Sequence, residues 1–246
     1  MSADIGASLA GVVVLTAIAT LALVLFRVPR LWEPAAAIAR GALQLALISL
    51  VLGGIVSSPG LITLALALMF GVASTVATRR TGWSAHTLLV MSSSIAAGVV
   101  IALTVVFATG TLELTPRYAL AIGAIVIGNA MSIATLTGRS FVRSVGDHWA
   151  EVEGWLALGA TPRRSTLALA REAVRDALIP SIDQTKTTGL VVLPGAFVGA
   201  IFGGISPLEA GRFQIVVLAS IMAAGAVTSV LVAAWPRPGL TKPELH

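Results

Sequence analysis

"TLLVMSSSIAAGVVIALTVVFAT", residues 87–109, contains no charged side chain. At about 1.5 Å per residue, a helix of this length covers the roughly 30 Å of hydrocarbon in a bilayer. Comparable runs stand on both sides of it, at about Ile5–Phe26, Ala37–Val56, Leu61–Thr78, Tyr118–Thr137, Thr188–Ile205 and Phe213–Trp235. The expected fold is all-α, a polytopic membrane protein of about seven transmembrane helices in one domain, 1–246. Composition points the same way. The chain is 57% hydrophobic and 11% charged, whereas a soluble domain carries about 25% charged residues. Aromatics are scarce and glycines number 24, which suits helices that approach closely in lipid.

Lysine and arginine set the orientation. The connections after spans one, three, five and seven hold Arg27, Arg30, Arg79, Arg80, Arg139, Arg143, Arg163, Arg164, Arg171, Arg175, Arg237 and Lys242. Arg40 and Lys186 fall on the same side, and the opposite connections hold only Arg117 and Arg212. The positive-inside rule puts the N-terminus outside and the C-terminus in the cytoplasm. The expected location is the cell's inner (plasma) membrane, crossed many times. The first residues lack a basic n-region and include Asp4, so no cleavable signal peptide is expected. The net charge of +5 is assigned to cytoplasmic loops, and no nucleic-acid partner is expected. With no cysteine, neither a disulfide framework nor thiolate ligation is available.

One connection breaks the apolar pattern. "EVEGWLALGATPRRSTLALAREAVRDALIP", residues 151–180, holds four arginines and four acids. It lies in the connection 138–187, the only one large enough for a partner to hold. Asp147–Leu158 reads as a short helix with Glu151 and Glu153 near its start, where the macrodipole favours acids. Thr161 reads as the N-cap and Pro162 as the first turn of a second helix. Leu167, Ala170, Val174 and Leu178 recur at helical spacing and give that helix an apolar face. Pro180 is expected to end or kink it. Two readings stay open: an interfacial helix whose arginines meet lipid phosphates, or a docking element for a cytoplasmic motor.

The Glu followed by "LGATP", and the helix ending in "LIP", resemble the cytoplasmic coupling element of ABC transporter permeases. The stretch "GLVVLPGAFVGAIFGGISPLEAGRFQIVV", residues 189–217, is more specific and closely resembles the FetB-type (YbbM-like) permease family. That family includes bacterial proteins implicated in iron export. The matched positions include Leu193, Pro194, Gly195, Gly199, Ser206, Pro207, Glu209, Arg212 and Gln214. "RGALQL" (40–45) and "IGNAMSIATL" (127–136) also look like family segments. After Pro194–Gly195 this chain has Ala-Phe-Val, where relatives are richer in methionine. The resemblance implies a permease subunit, an exporter linked to iron or metal homeostasis. It implies a separate P-loop ATP-binding subunit and a homodimer of permeases. Glu151, Glu153, Gly159, Ala160, Thr161, Pro162, Arg163 and Arg164 would form the coupling contact. Arg163 and Arg164 would meet either acidic groups on that subunit or anionic lipid.

The residues set limits on mechanism. No G-x-x-x-x-G-K-[ST] motif occurs, so the chain lacks a phosphate cradle of its own. No catalytic residue and no cofactor is expected in it. No G-x-S-x-G elbow occurs. His86, His148 and His246 show no ligand spacing, so no formal metal site is expected. Gly195, Gly199 and Gly203 form a small-residue stripe for close helix packing, within the chain or between copies. Pro194 precedes that stripe and is a candidate hinge. Candidate pathway residues are Gln44, Ser92, Ser93, Ser94, Asn129, Met131, Ser132 and Thr135, alongside Pro194; interhelical hydrogen bonding explains the polar ones equally. Asp183 and Lys186 read as a gate or a local pair near the cytoplasmic end of span six. A stand-alone secondary transporter or a seven-helix receptor is the alternative. The assigned spans lack the carboxylates such a transporter often keeps for ion coupling.

Overall fold

The computed structural model describes residues 2–55 and 58–235. The charges at Arg237 and Lys242, and His246, lie outside the described residues. Contacts divide the chain into two units, Met1–Ser57 and Ser58–His246.

The first unit is a pair of packed helices, α1 (Ser2–Leu25) and α2 (Glu33–Ile55). α1 ends because Arg27 turns left-handed, at φ 55°. Its N–H then reaches the Val24 carbonyl at 3.0 Å, and the Val28 N–H reaches the Leu23 carbonyl at 3.0 Å. This is a Schellman closure with arginine where glycine is usual. No residue in the apolar span of α1 is fully buried.

The second unit holds α3 (Pro59–Thr81), α4 (Ala85–Ala108), α5 (Pro116–Asp147), α6 (Trp149–Ala157), α7 (Pro162–Ser165), α8 (Leu167–Thr187), α9 (Gly195–Phe202) and α10 (Pro207–Ala234). Side-chain oxygens of Ser84, Thr115, Thr161 and Ser206 cap α4, α5, α7 and α10 by accepting backbone N–H bonds. Ser206-Pro-Leu-Glu209 is a capping-box sequence, and the Ser206 hydroxyl also donates to the Glu209 carboxylate at 3.1 Å.

Close approaches fix how these helices run. Leu66 of α3 lies over Gly123 of α5, and Thr81 over Gly138, so α3 and α5 are parallel. Tyr118 of α5 meets Phe213 of α10 with ring centroids 5.8 Å apart. Further along, Ile133 packs on Gly225, so α10 is parallel to both. The Thr228 hydroxyl donates to the Ser94 carbonyl at 3.2 Å, and Gly98 lies against Ala224; α4 therefore runs the other way. So does α8. Its Leu169 and Ala170 join Phe141 and Ala233, while its later Leu178 reaches Gly225. The core between these helices is small and apolar, centred on Ile95, Val99, Ile122, Val126, Ala130, Ala134 and Ala224.

Five helices among the described residues are long and apolar enough to cross a membrane: α1, α3, α4, α5 and α10. The expected sixth span, 188–205, is not a continuous helix. Residues 188–194 form a turn closed by a bridge between Thr188 and Val192, and α9 has only 8 residues. Pro194 enters α9 with extended backbone at ψ 141°, and Gly204 leaves it at φ +89°, so apolar composition there does not become a spanning helix. The connection 138–187 is corrected as well. α5 continues without a break through residue 147, and α8 continues past Pro180 to Thr187. Pro180 therefore does not end the helix; the face that holds α8 in the bundle, Leu169, Ala170, Ala173 and Ala177, lies before it.

Candidate functional site

Two features stand out: the elbow formed by α6 and α7, and the polar face of α8.

The elbow is built by local rules. Gly159 sits at φ +86°. Its N–H meets the Leu156 carbonyl at 2.9 Å, and the Ala160 N–H meets the Trp155 carbonyl at 3.0 Å. This closes α6 in a Schellman motif that a residue with a Cβ adopts only with strain. Two residues on, the Thr161 hydroxyl accepts the Arg164 N–H at 3.4 Å, and Pro162 occupies the first turn of α7. "LGATP" is thus one helix stop directly followed by one helix start.

A 32-residue α5 is about 48 Å long, well over the hydrocarbon thickness. Its C-terminal end carries the elbow. Phe141 and Val145 of α5, Val152 of α6, and Leu169, Ala170 and Ala173 of α8 form one buried cluster, with Trp149, Leu156 and Ala233 packed around it. The elbow is therefore fastened to α5, α8 and α10 together. The expected contact residues Glu151, Glu153, Gly159, Thr161, Pro162, Arg163 and Arg164 are exposed there, and Ala160 is half-buried. Leu158, 82% exposed, and Trp155, 49% exposed, stand among them. Neither was singled out in the sequence, although an apolar pair between acids and arginines is a signal of contact. Beneath the elbow lies a cavity of about 800 Å³, lined in part by His86, Phe141, Pro162, Arg163, Arg171 and Trp235.

α8 buries Leu169, Ala170, Ala173 and Ala177, with Val174 and Leu178 half-buried. This face is shifted from the expected one, since Leu167 is 39% exposed. The other face is polar along its length. Arg171, Glu172, Arg175, Asp176, Asp183 and Lys186 are all exposed. Ser140 of α5 donates to the Asp176 carboxylate at 3.3 Å, and Lys186 pairs with Asp183 at 3.2 Å. Asp183 and Lys186 follow Leu178 by five and eight residues, so they lie about 7 and 12 Å further along the bundle. This corrects their expected place near the basic end. A charged side chain at the centre of a membrane span costs about 2.5–3.5 kcal/mol on insertion scales, so such a face calls for water or a partner.

Several other pathway candidates bond within their own helices. The Asn129 amide donates to the Ile125 carbonyl at 2.8 Å, the Ser132 hydroxyl to Gly128 at 3.1 Å and the Thr135 hydroxyl to Met131 at 2.8 Å. Ser93 does the same to Leu89 at 2.6 Å. Each is satisfied within its own helix. Met131 packs against the apolar core, and Gln44 is exposed on α2 in the first unit. A Cβ added to Gly195 or Gly199 would meet nothing within 4 Å. The close helix approaches use Gly98, Gly123, Gly138 and Gly225 instead. Among the described residues no three His, Asp or Glu side chains converge as metal ligands.

Residues 7–237 match the protein family UPF0014, described as an uncharacterised protein family. The chain belongs to UPF0014. Among similar UPF0014 relatives is the UPF0014 membrane protein STAR2 of Oryza sativa subsp. japonica, 40% identical over 79% of this chain and 69% of that protein. Protein ALUMINUM SENSITIVE 3 of Arabidopsis thaliana is 37% identical over 78% of this chain and 71% of its own length. The probable iron export permease protein FetB of Escherichia coli (strain K12) is 32% identical over 63% of this chain and 60% of that protein. The resemblance read from residues 189–217 is thereby confirmed, and this UPF0014 member is a multi-pass membrane protein. No solved structure matches.

Proposed function

We propose that this chain is the membrane-spanning permease subunit of an ABC transporter in the inner (plasma) membrane, driven by a separate P-loop ATP-binding subunit. Two copies of the chain assemble with two such subunits. ATP hydrolysis belongs to the partner, and this chain carries transport without catalytic residues. Seven helices cross, with the N-terminus outside and the C-terminus in the cytoplasm, and the sixth crossing is α8.

One observation carries the reading: the exposed elbow is locked by a single apolar cluster to α5, α8 and α10. A push on Leu158, Gly159 and Arg163 is delivered to three helices at once. The cargo follows the bacterial relative FetB, a probable iron export permease protein.

Co-purification tests the coupling. The wild-type chain should retain a P-loop ATPase, and Gly159→Arg should lose it, because the left-handed turn and the exposed contact fail together. An unchanged yield of ATPase with Gly159→Arg sinks the coupling assignment. ATP-dependent iron flux in proteoliposomes tests the cargo separately. A second reading, a proton-coupled transporter, gains one argument from the structure: Asp183 sits on a helix packed within the bundle. Flux driven by an imposed pH gradient without ATP would favour it.

A further inference from the structure

The charged face of α8 is sorted into two rows. At about 100° per residue, all six ionisable side chains fall within an arc of about 140°. Glu172, Asp176, Ile179 and Asp183, at spacings of four, three and four, form an acidic row. Arg171, Arg175, Ile182 and Lys186, at spacings of four, seven and four, form a basic row beside it. Ile179 lies near the middle of the arc. The opposite side of α8 is closed by α5 and α10, and α5 also reaches the acidic edge of the arc, where the Ser140 hydroxyl donates to Asp176 at 3.3 Å.

Lipid is a poor cover for such a face, and its two-row order names a better one. Two copies of a membrane protein inserted in the same sense are related by a two-fold axis along the bilayer normal, the commonest oligomer symmetry. Rotation about that axis keeps every residue at its own depth and exchanges left with right. If the centre of the arc faces the axis, the acidic row of each copy stands opposite the basic row of the other. Glu172 and Asp176 then meet Arg171 and Arg175 at matching depth, and Asp183 meets Lys186. We propose that the polar face of α8 is the self-complementary seam between two copies of this chain. The cross-copy ion pairs hold the path closed. Parting the two α8 helices opens a hydrophilic path for a polar or charged solute. The seam stands by itself; its use as a path rests on the permease reading above.

The chain has no cysteine, which makes the test direct. In membranes, two Ile179→Cys copies should form a disulfide-linked dimer on mild oxidation, whereas Leu68→Cys, exposed on α3, which packs on α4 and α5, should not. Absence of the dimer band at Ile179→Cys overturns the proposal. A second measurement separates pairing between copies from pairing within α8. Differently tagged copies carrying Asp176→Lys and Asp183→Lys should lose self-association by on the order of tenfold, as should copies carrying Arg175→Asp and Lys186→Asp. Co-expressing the two kinds should restore co-purification between their tags, an outcome that pairing within one helix cannot produce. If the mixed pair associates no better than either alone, the seam is wrong. Retained ATPase without a cross-link removes the seam and leaves the coupling reading. A cross-link without ATPase does the reverse.

Discussion

α8 and α10 are packed side by side and run in opposite directions, yet they obey different rules. From Phe213 to Trp235, α10 has no charged residue, and it buries residues along its whole length, from Ala210 to Val232. α8 has six ionisable residues and buries one narrow face of leucine and alanine. A helix that meets lipid over much of its circumference must be apolar on average. A helix held on one side by the bundle and on the other by water or a second copy needs apolar residues only where it is held. Average hydropathy therefore finds α10 and passes over α8.

Four substitutions sharpen this contrast. The largest effect is expected at the α4–α10 contact. A side chain at Gly98 would strike the Ala224 carbonyl and the Thr228 hydroxyl. Backbone cannot yield as a side-chain tip does, so Gly98→Leu should cost about 3 kcal/mol or more, read as loss of the monodisperse peak in detergent chromatography after heating. Next comes the narrow held face of α8. Ala173 is fully buried, and Ala173→Asp should destabilise by about 3 kcal/mol through a buried, unpartnered carboxylate. Glu172→Asp, one residue away on the exposed face, should leave the melting temperature unchanged. Equal effects at the two positions would show that α8 has no sorted faces. The smallest effect belongs to Lys186→Gln. Its ion pair with Asp183 is 70% and 60% exposed on the two sides, so folding stability should change by less than about 1 kcal/mol. Its consequence should appear in self-association instead.

Much was legible without the fold. The uncharged runs marked α1, α3, α4, α5 and α10, because satisfying backbone groups in hydrocarbon leaves few alternatives to a helix. Thr161 and Pro162 marked the start of α7, because caps act within one turn. Ser206 to Glu209 entered only as part of a family motif, although its spacing is that of a capping box. The site was legible in part. The elbow residues read from "LGATP" are exposed together, but Leu158 and Trp155 between them were passed over. The glycine stripe at 195, 199 and 203 meets no neighbouring helix within the chain, because spacing alone does not supply a partner there.

The sequence by itself determined that this is a helical membrane protein with a polar elbow, and it determined where most helices start and stop. Those properties depend on runs of residues and on hydrogen bonds a few positions apart. Only the tertiary structure decided that residues 167–187 enter the bundle while 188–205 do not form a spanning helix. That choice depends on which single face of α8 fits against Phe141, Ala233 and Gly225, residues far away in the chain that no local window brings together.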